Sequence, residues 1–153
     1  VDIRFGFFDF GPWDEKLLRI EGEEVSLNDI EHRILRPIWK DPRLHYALNC
    51  ASLGCPNLQP KAFNSENVES LLSSGARGYI NDSRGMRFED EDKLVLSKIY
   101  DWYGVDFGGD ETELLQHLMF YAKPEMNKRL LAFSGDIDFE YDWDLNSFPR
   151  KGS

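Results

Sequence analysis

The sequence predicts an α+β domain in which a mixed, mainly antiparallel sheet is packed by several helices. Short alternating runs at residues 86–89, 93–96 and 137–141 read as strands, and amphipathic runs at residues 27–39 and 111–122 read as helices. The two kinds interleave without regular βαβ units, which argues against a doubly wound parallel sheet. No repeat, low-complexity tract or linker divides the chain, so residues 1–153 are read as one domain.

Each element has a local reason. Residues 2–10 alternate Ile3, Phe5 and Phe7 and read as extended up to Gly11-Pro12. Leu17 to Ile20 and Val25 bracket Glu21-Gly22-Glu23, a hairpin turn. Ser26 with Asp29 forms a capping box, and the helix it starts runs to Pro37 or Trp39. Leu27, Ile30, Ile34, Leu35 and Ile38 share one stripe of that helix; at about 100° per residue Glu31 falls inside it and is expected to be buried. His32 and Arg36, four apart, share a more polar face. After the Asp41-Pro42 turn, residues 43–49 read as a strand, with Leu44, Tyr46 and Leu48 opposite His45, Ala47 and Asn49. Cys50 to Pro56 is a loop of small residues. Asn64 or Ser65 caps a helix reaching Ile80; Ser97 caps a short helix over residues 98–103; Gly108-Gly109 is a turn; Pro124 begins a helix to Phe133.

The balance of 28 acidic against 18 basic residues, formal net charge −10, opposes binding to a phosphate backbone or an anionic membrane, and no basic patch stands out. No apolar run approaches the length of a membrane span. The acidic runs 90–92 and 106–110 lack the alternating ligands of a calcium loop, and Gly108-Gly109 lacks a phosphate-cradle context, so neither a metal nor a cofactor is expected. Aromatics at 14% imply an aromatic core; alternatively Trp102-Tyr103 and Tyr141-Asp142-Trp143 line a pocket with Asp142 or Asn146 as its polar group.

Five stretches, in order, carry a family resemblance: Ser26 to Arg36, Asp41 to Cys50, Ala51-Ser-Leu-Gly-Cys-Pro56, Leu96 to Tyr103 with Asp106-Phe107, and Tyr141-Asp-Trp-Asp-Leu-Asn146. Together they resemble the domain of unknown function 547. The resemblance implies bacterial proteins, many of them exported to the periplasm or secreted, and plant proteins with an added leucine-zipper region. It implies no established reaction. Members usually carry an upstream helical segment that this chain begins beyond. Without it, an apolar face is expected to need that segment, self-association or a protein or peptide partner.

His45, Cys50 and Cys55 are the one His/Cys cluster, spaced H-x4-C-x4-C, which matches no standard zinc signature. Three readings stay open. A Cys50–Cys55 disulfide suits two cysteines flanking a short Gly-containing loop, and export favours it. A thiol nucleophile at Cys50 would use His45 as base, Glu31 or Asn49 to orient the imidazole, and the loop amides to face an oxyanion. Two inert buried thiols is the third. His45 and Cys50 lie five apart, so a straight strand puts them on opposite faces and only a bend unites them. The reading adopted is therefore a non-catalytic binding or assembly module with a structural Cys pair. Its contacts are Asn49, Ser52, Cys55, His32, Arg36, Trp143 and Asn146. The alternative is a thiol-dependent hydrolase or acyltransferase acting on a peptide-like amide or thioester through Cys50, His45 and Glu31.

Overall fold

A computed structural model describes residues 12–147. The extended run expected over residues 2–10 lies outside them. Strands β1 (Leu18–Ile20) and β2 (Glu23–Val25) form an antiparallel hairpin. Its two turn residues, Glu21 and Gly22, have φ of 51° and 90°, the positive-φ pair that matches strand twist.

Ser26 then closes the expected capping box. Its N–H and hydroxyl both reach the Asp29 carboxylate, and the Asp29 N–H returns to Ser26 Oγ at 3.1 Å. The helix that follows begins as a π-helix over Asp29–Leu35 and tightens into α1 (Arg36–Trp39), which ends on Lys40 at φ 50°. This corrects the sequence reading. Bonding from i to i+5 widens each turn, so a stripe drawn at the α-helical period drifts off its face. Leu27 and Ile38, the two ends of that stripe, are exposed. Glu31 is not fully buried as expected; its side chain is 21% exposed.

Residues 43–49 do not form a strand. Pro42–Tyr46 is a 3-10 helix, because Pro42 sits at its first turn and the Asp41 side chain accepts the Arg43 N–H at 2.9 Å. The tight turn carries His45 and Tyr46 inward together, at 4% and 1% exposure, where a strand would have separated them.

The remaining elements follow the expected order. Helix α2 (Val68–Ile80) leads to β3 (Met86–Phe88) and β4 (Lys93–Ser97), paired antiparallel with Met86 opposite Leu96. Ser97 Oγ accepts the Ile99 N–H and starts α3 (Lys98–Trp102). Helices α4 (Glu111–Tyr121) and α5 (Pro124–Ala132) then return the chain to β5 (Asp136–Glu140). β5 lies parallel to β4, Leu94 facing Ile137, which such a helical connection permits. The result is the α+β architecture read from the sequence, mostly antiparallel with one parallel pair.

Leu94, Leu96, Ile80, Ala76 and Leu118 are buried where α2 and α4 cover the sheet. Truncating such a leucine to alanine costs about 2–5 kcal/mol. Among the described residues no buried side-chain nitrogen or oxygen lacks a partner. The buried polar group that most constrains the core joins three elements. Tyr46 Oη lies 2.8 Å from His117 Nε2 and 3.4 Å from the Tyr100 hydroxyl, with the Tyr46 and His117 rings stacked at 12°.

Burial lowers the His117 pKa from 6.5 to about 4, against the pull of Asp41. Above pH 6.5 the imidazole is neutral folded or unfolded and contributes nothing to pH dependence. Between 6.5 and 4 the unfolded chain takes up a proton that the fold refuses, so stability drops through that window and levels off below it. The loss is at most about 3 kcal/mol. His45, also lowered by burial, acts in the same direction. Urea unfolding at about pH 5 should therefore give a lower midpoint than at about pH 7. His117→Gln should flatten that difference, and an unchanged slope in the variant would exclude His117 as its source.

Candidate functional site

A cavity of about 560 Å³ opens between the π-helix, the 3-10 turn, α3 and the segment after β5. Its aromatic walls are Trp13, Trp102, Tyr103, Tyr141 and Trp143, and its aliphatic walls are Leu27, Ile30, Leu48, Pro56 and Ile99. The polar groups are Asn28, Glu31, His32, His45 and Asn49, and Cys50 and Cys55 complete it. The aromatics after β5 are thus pocket walls, the alternative to a core role. Trp143 packs on Trp102 at 5.3 Å and on Tyr141 at 4.7 Å.

His45 forms the inner end of a polar chain. Its Nε2 lies 2.7 Å from Asp106 Oδ2, which also takes the Arg36 Nε–H at 2.6 Å. The orienting carboxylate is thus Asp106, and neither Glu31 nor Asn49. Burial lowers the His45 pKa even though Asp106 and Glu31 pull it upward, so the imidazole is neutral at pH 7. Donation of Nε2–H to Asp106 leaves Nδ1 as its unprotonated nitrogen. Burial alone would raise the Asp106 carboxyl; the hydrogen bonds from Arg36 and His45 outweigh it and hold the group below the ordinary carboxylate value. Tyr103 fixes the same assembly. His45 stacks on its ring at 4.2 Å, and the Arg36 guanidinium lies 4.8 Å from its centre. Burial, with the Glu31 carboxylate beside it, pushes the Tyr103 hydroxyl up to about 12.

Cys50 and Cys55 form a disulfide with Cα atoms 6.1 Å apart. No free cysteine remains. Ala51 adopts a left-handed φ of 65° to turn the chain between them. Asn49 braces the turn: its Oδ1 accepts the Ala51 N–H and its Nδ2 donates to the Pro56 carbonyl. Leu53 N–H donates to Asp144 and Gly54 N–H to Asp142, while Ser52 bridges to Leu145. From the other side Tyr79 Oη donates to the Gly54 carbonyl at 2.6 Å, and Arg84 donates to the carbonyls of Leu53 and Cys55. The amides of Cys50, Ala51, Leu53, Gly54 and Cys55 all donate within the protein, so none of them is left to face an oxyanion.

The sulfurs are surrounded by donors. Tyr141 Oη lies 3.0 Å from Cys50 Sγ and 3.2 Å from Cys55 Sγ, and Ser52 Oγ lies 3.3 and 3.5 Å from them. The Cys50 N–H donates to Cys55 Sγ at 2.8 Å.

The structure therefore brings Glu31, His45, Cys50, Cys55, His32, Asn49 and Trp143 to one cavity. Ser52 is buried behind the disulfide. Arg36 acts from outside the walls through Asp106 and Tyr103. Asn146 is not among the wall residues; its backbone N–H donates to the Ala51 carbonyl. Sequence reasoning missed Asp106 as the partner of His45 and Tyr141 as the partner of the sulfurs. Their separations of 61 and 91 residues leave no periodic signal. Among the described residues no three His, Cys, Asp or Glu side chains gather as metal ligands, and no helix is long and apolar enough to cross a membrane.

Gly54 sets the approach of the loop to the segment carrying Tyr141. A Cβ there would sit 2.9 Å from both the Asp142 carbonyl oxygen and the Tyr141 ring. Gly54→Ala should destabilise the fold by about 1–3 kcal/mol. It should also speed chemical reduction of the disulfide by loosening the loop. A melting point equal to wild type would show that this approach is not tight.

The family model described as "Protein of unknown function, DUF547" matches residues 8–80, a span that holds the π-helix, His45 and both cysteines. The stretches around residues 96–107 and 141–146, which also carry the resemblance, lie beyond it. No curated protein and no solved structure matches the chain. Over residues 8–80 the chain is therefore similar to the family of unknown function DUF547.

Proposed function

We propose that this domain is a binding module whose cavity takes an organic cation with an apolar body, as a free amine or as a basic side chain of a peptide. The observation that carries the reading is the make-up of the walls. Five aromatic residues surround the space, and Glu31 is the one carboxylate among the described wall residues. A cavity of this size suits a small ligand or a single side chain. Ring faces of Trp and Tyr attract cations by about 0.5–2 kcal/mol when water is excluded, and a carboxylate adds to that. Burial lowers the pKa of His45, so that wall histidine adds no positive charge at pH 7, and the net charge of −10 favours the approach of cations over anions.

The hydrolytic alternative finds less support. It needs a Cys50 thiolate, loop amides aimed at an oxyanion, and His45 bonded to the sulfur. Cys50 is instead in a disulfide, the amides named above are engaged, and the hydroxyls of Tyr141 and Ser52 flank the sulfur. A binding role requires none of these.

Tryptophan fluorescence tests the proposal, since Trp13, Trp102 and Trp143 all line the space. Phenethylammonium should perturb the emission and bind about tenfold more tightly than phenethyl alcohol, which shares its apolar body. Glu31→Gln should remove that preference while leaving the alcohol's affinity nearly unchanged. A tryptophan-free peptide containing one lysine distinguishes a side-chain ligand from a free amine. Equal affinity for amine and alcohol in the wild-type protein, or no response to either, would sink the reading.

A further inference from the structure

The donors around the disulfide are poorly used by the state they surround. Disulfide sulfur is a weak acceptor, whereas a thiolate is a strong one. Yet two hydroxyls and one amide converge on the pair: Tyr141 Oη and Ser52 Oγ on both sulfurs, and the Cys50 N–H at 2.8 Å on Cys55 Sγ alone. The arrangement gains strength on reduction, and it favours negative charge on Cys55. Exposure is asymmetric too. Cys55 is 4% exposed, whereas Cys50 is only half-buried, and both face a cavity open to solutes.

We propose that Cys50–Cys55 is a thiol–disulfide exchange centre, whose substrate is a small or peptide-borne thiol entering the cavity. The incoming thiolate attacks Cys50 Sγ. A new sulfur–sulfur bond forms there, the Cys50–Cys55 bond breaks, and the electron pair leaves on Cys55 as a thiolate held by Tyr141, Ser52 and the Cys50 N–H. A second thiolate attacks the mixed disulfide at the sulfur of the first thiol and releases Cys50 as a thiolate. Two external thiols are thereby oxidised to one disulfide, and the protein disulfide is reduced to two cysteines. The reverse sequence reduces an external disulfide. Leaving-group stabilisation and access both select Cys50 as the sulfur attacked. The loop can survive the bond's opening, because Asp142, Asp144, Tyr79 and Arg84 hold it independently. The inference goes beyond ligand binding and uses only the openness of the cavity.

The test uses the full chain in reduced and oxidised glutathione near neutral pH, with acid quenching, alkylation and intact mass. The wild-type disulfide should open reversibly while circular dichroism stays native. Cys55→Ser should trap glutathione on Cys50. Tyr141→Phe should need about a tenfold more reducing glutathione ratio for half-reduction, because it removes one donor from the thiolate. Should that variant fail to fold, thiolate absorbance of the reduced wild type gives the same information: one thiol should ionise well below the ordinary value of about 8.5. A disulfide that opens only when the protein unfolds would overturn the proposal. So would two thiols that both ionise at or above the ordinary value. Both readouts are made without amine ligand, so a cavity that binds no cation leaves this result intact, and failure of exchange leaves cation binding intact.

Discussion

Two backbone hydrogen bonds hold the loop between the cysteines against the segment that follows β5: Leu53 N–H to the Asp144 carbonyl at 2.7 Å, and Gly54 N–H to the Asp142 carbonyl at 2.9 Å. Most of the site's geometry follows from that docking. It places Tyr141 beside the sulfurs and Trp143 over Trp102, and so makes one wall of the cavity from segments far apart in the chain. Only a residue without a side chain fits at Gly54, where the approach is closest. A net backbone hydrogen bond contributes about 1 kcal/mol, so no single bond fixes the loop. The set does, because Tyr79 and Arg84 grip the carbonyls on its other side.

What could be read in the sequence were features whose causes are local. The Ser26–Asp29 capping box, the Glu21-Gly22 turn, the Ser97 cap and the Gly108-Gly109 turn each need only residues within a few positions, and each occurs where it was read. The readings that failed needed information from elsewhere. Alternation over residues 43–49 resembles a strand, but Asp41 and Pro42 close a 3-10 turn, and no neighbouring strand competes for those backbone groups. The stripe containing Glu31 was drawn at an α-helical period on a segment that winds as a π-helix. The direction of β5 depends on the three α-helices that intervene, and its alternation is the same parallel or antiparallel. The cavity itself was half legible: His45, Cys50 and Glu31 meet in it, but the residues that give His45 and Cys50 their environment, Asp106 and Tyr141, come from distant elements.

Electrostatics divides the site into a satisfied interior and a single charged edge. Asp106 is neutralised by Arg36 on one side and bonded to His45 on the other. Removing one member of such a partly buried chain leaves its neighbour desolvated and unpaired, which costs more than the intact chain gains. The histidine is therefore held as a rigid, neutral wall residue, stacked on Tyr103. Glu31 remains, half-buried on the π-helix, with His32 Nδ1 3.9 Å away. The wider turn of that helix is what brings a carboxylate to the cavity edge, between a buried position and a solvated one.

The disulfide contributes less to this architecture than its covalent nature suggests. A bond closing so short a loop removes little unfolded-chain entropy, giving about 2 kcal/mol in the loop-closure account. The same loop is already pinned by hydrogen bonds from both sides. Stability alone would place such a bond anywhere along the loop, with any neighbours. Its actual neighbours are two hydroxyls and an amide aimed at sulfur, at the wall of an open aromatic cavity. Hydroxyls buried in an apolar wall need acceptors, and Ser52 and Tyr141 can bond each other at 2.8 Å without involving sulfur. The amide of Cys50 has no such alternative among the described residues: its acceptor is Cys55 Sγ. A backbone donor committed to a weak acceptor is a poor arrangement for an inert clamp. It becomes a good one when that sulfur carries charge, which makes the amide, more than the hydroxyls, the feature that separates a reactive pair from a structural one.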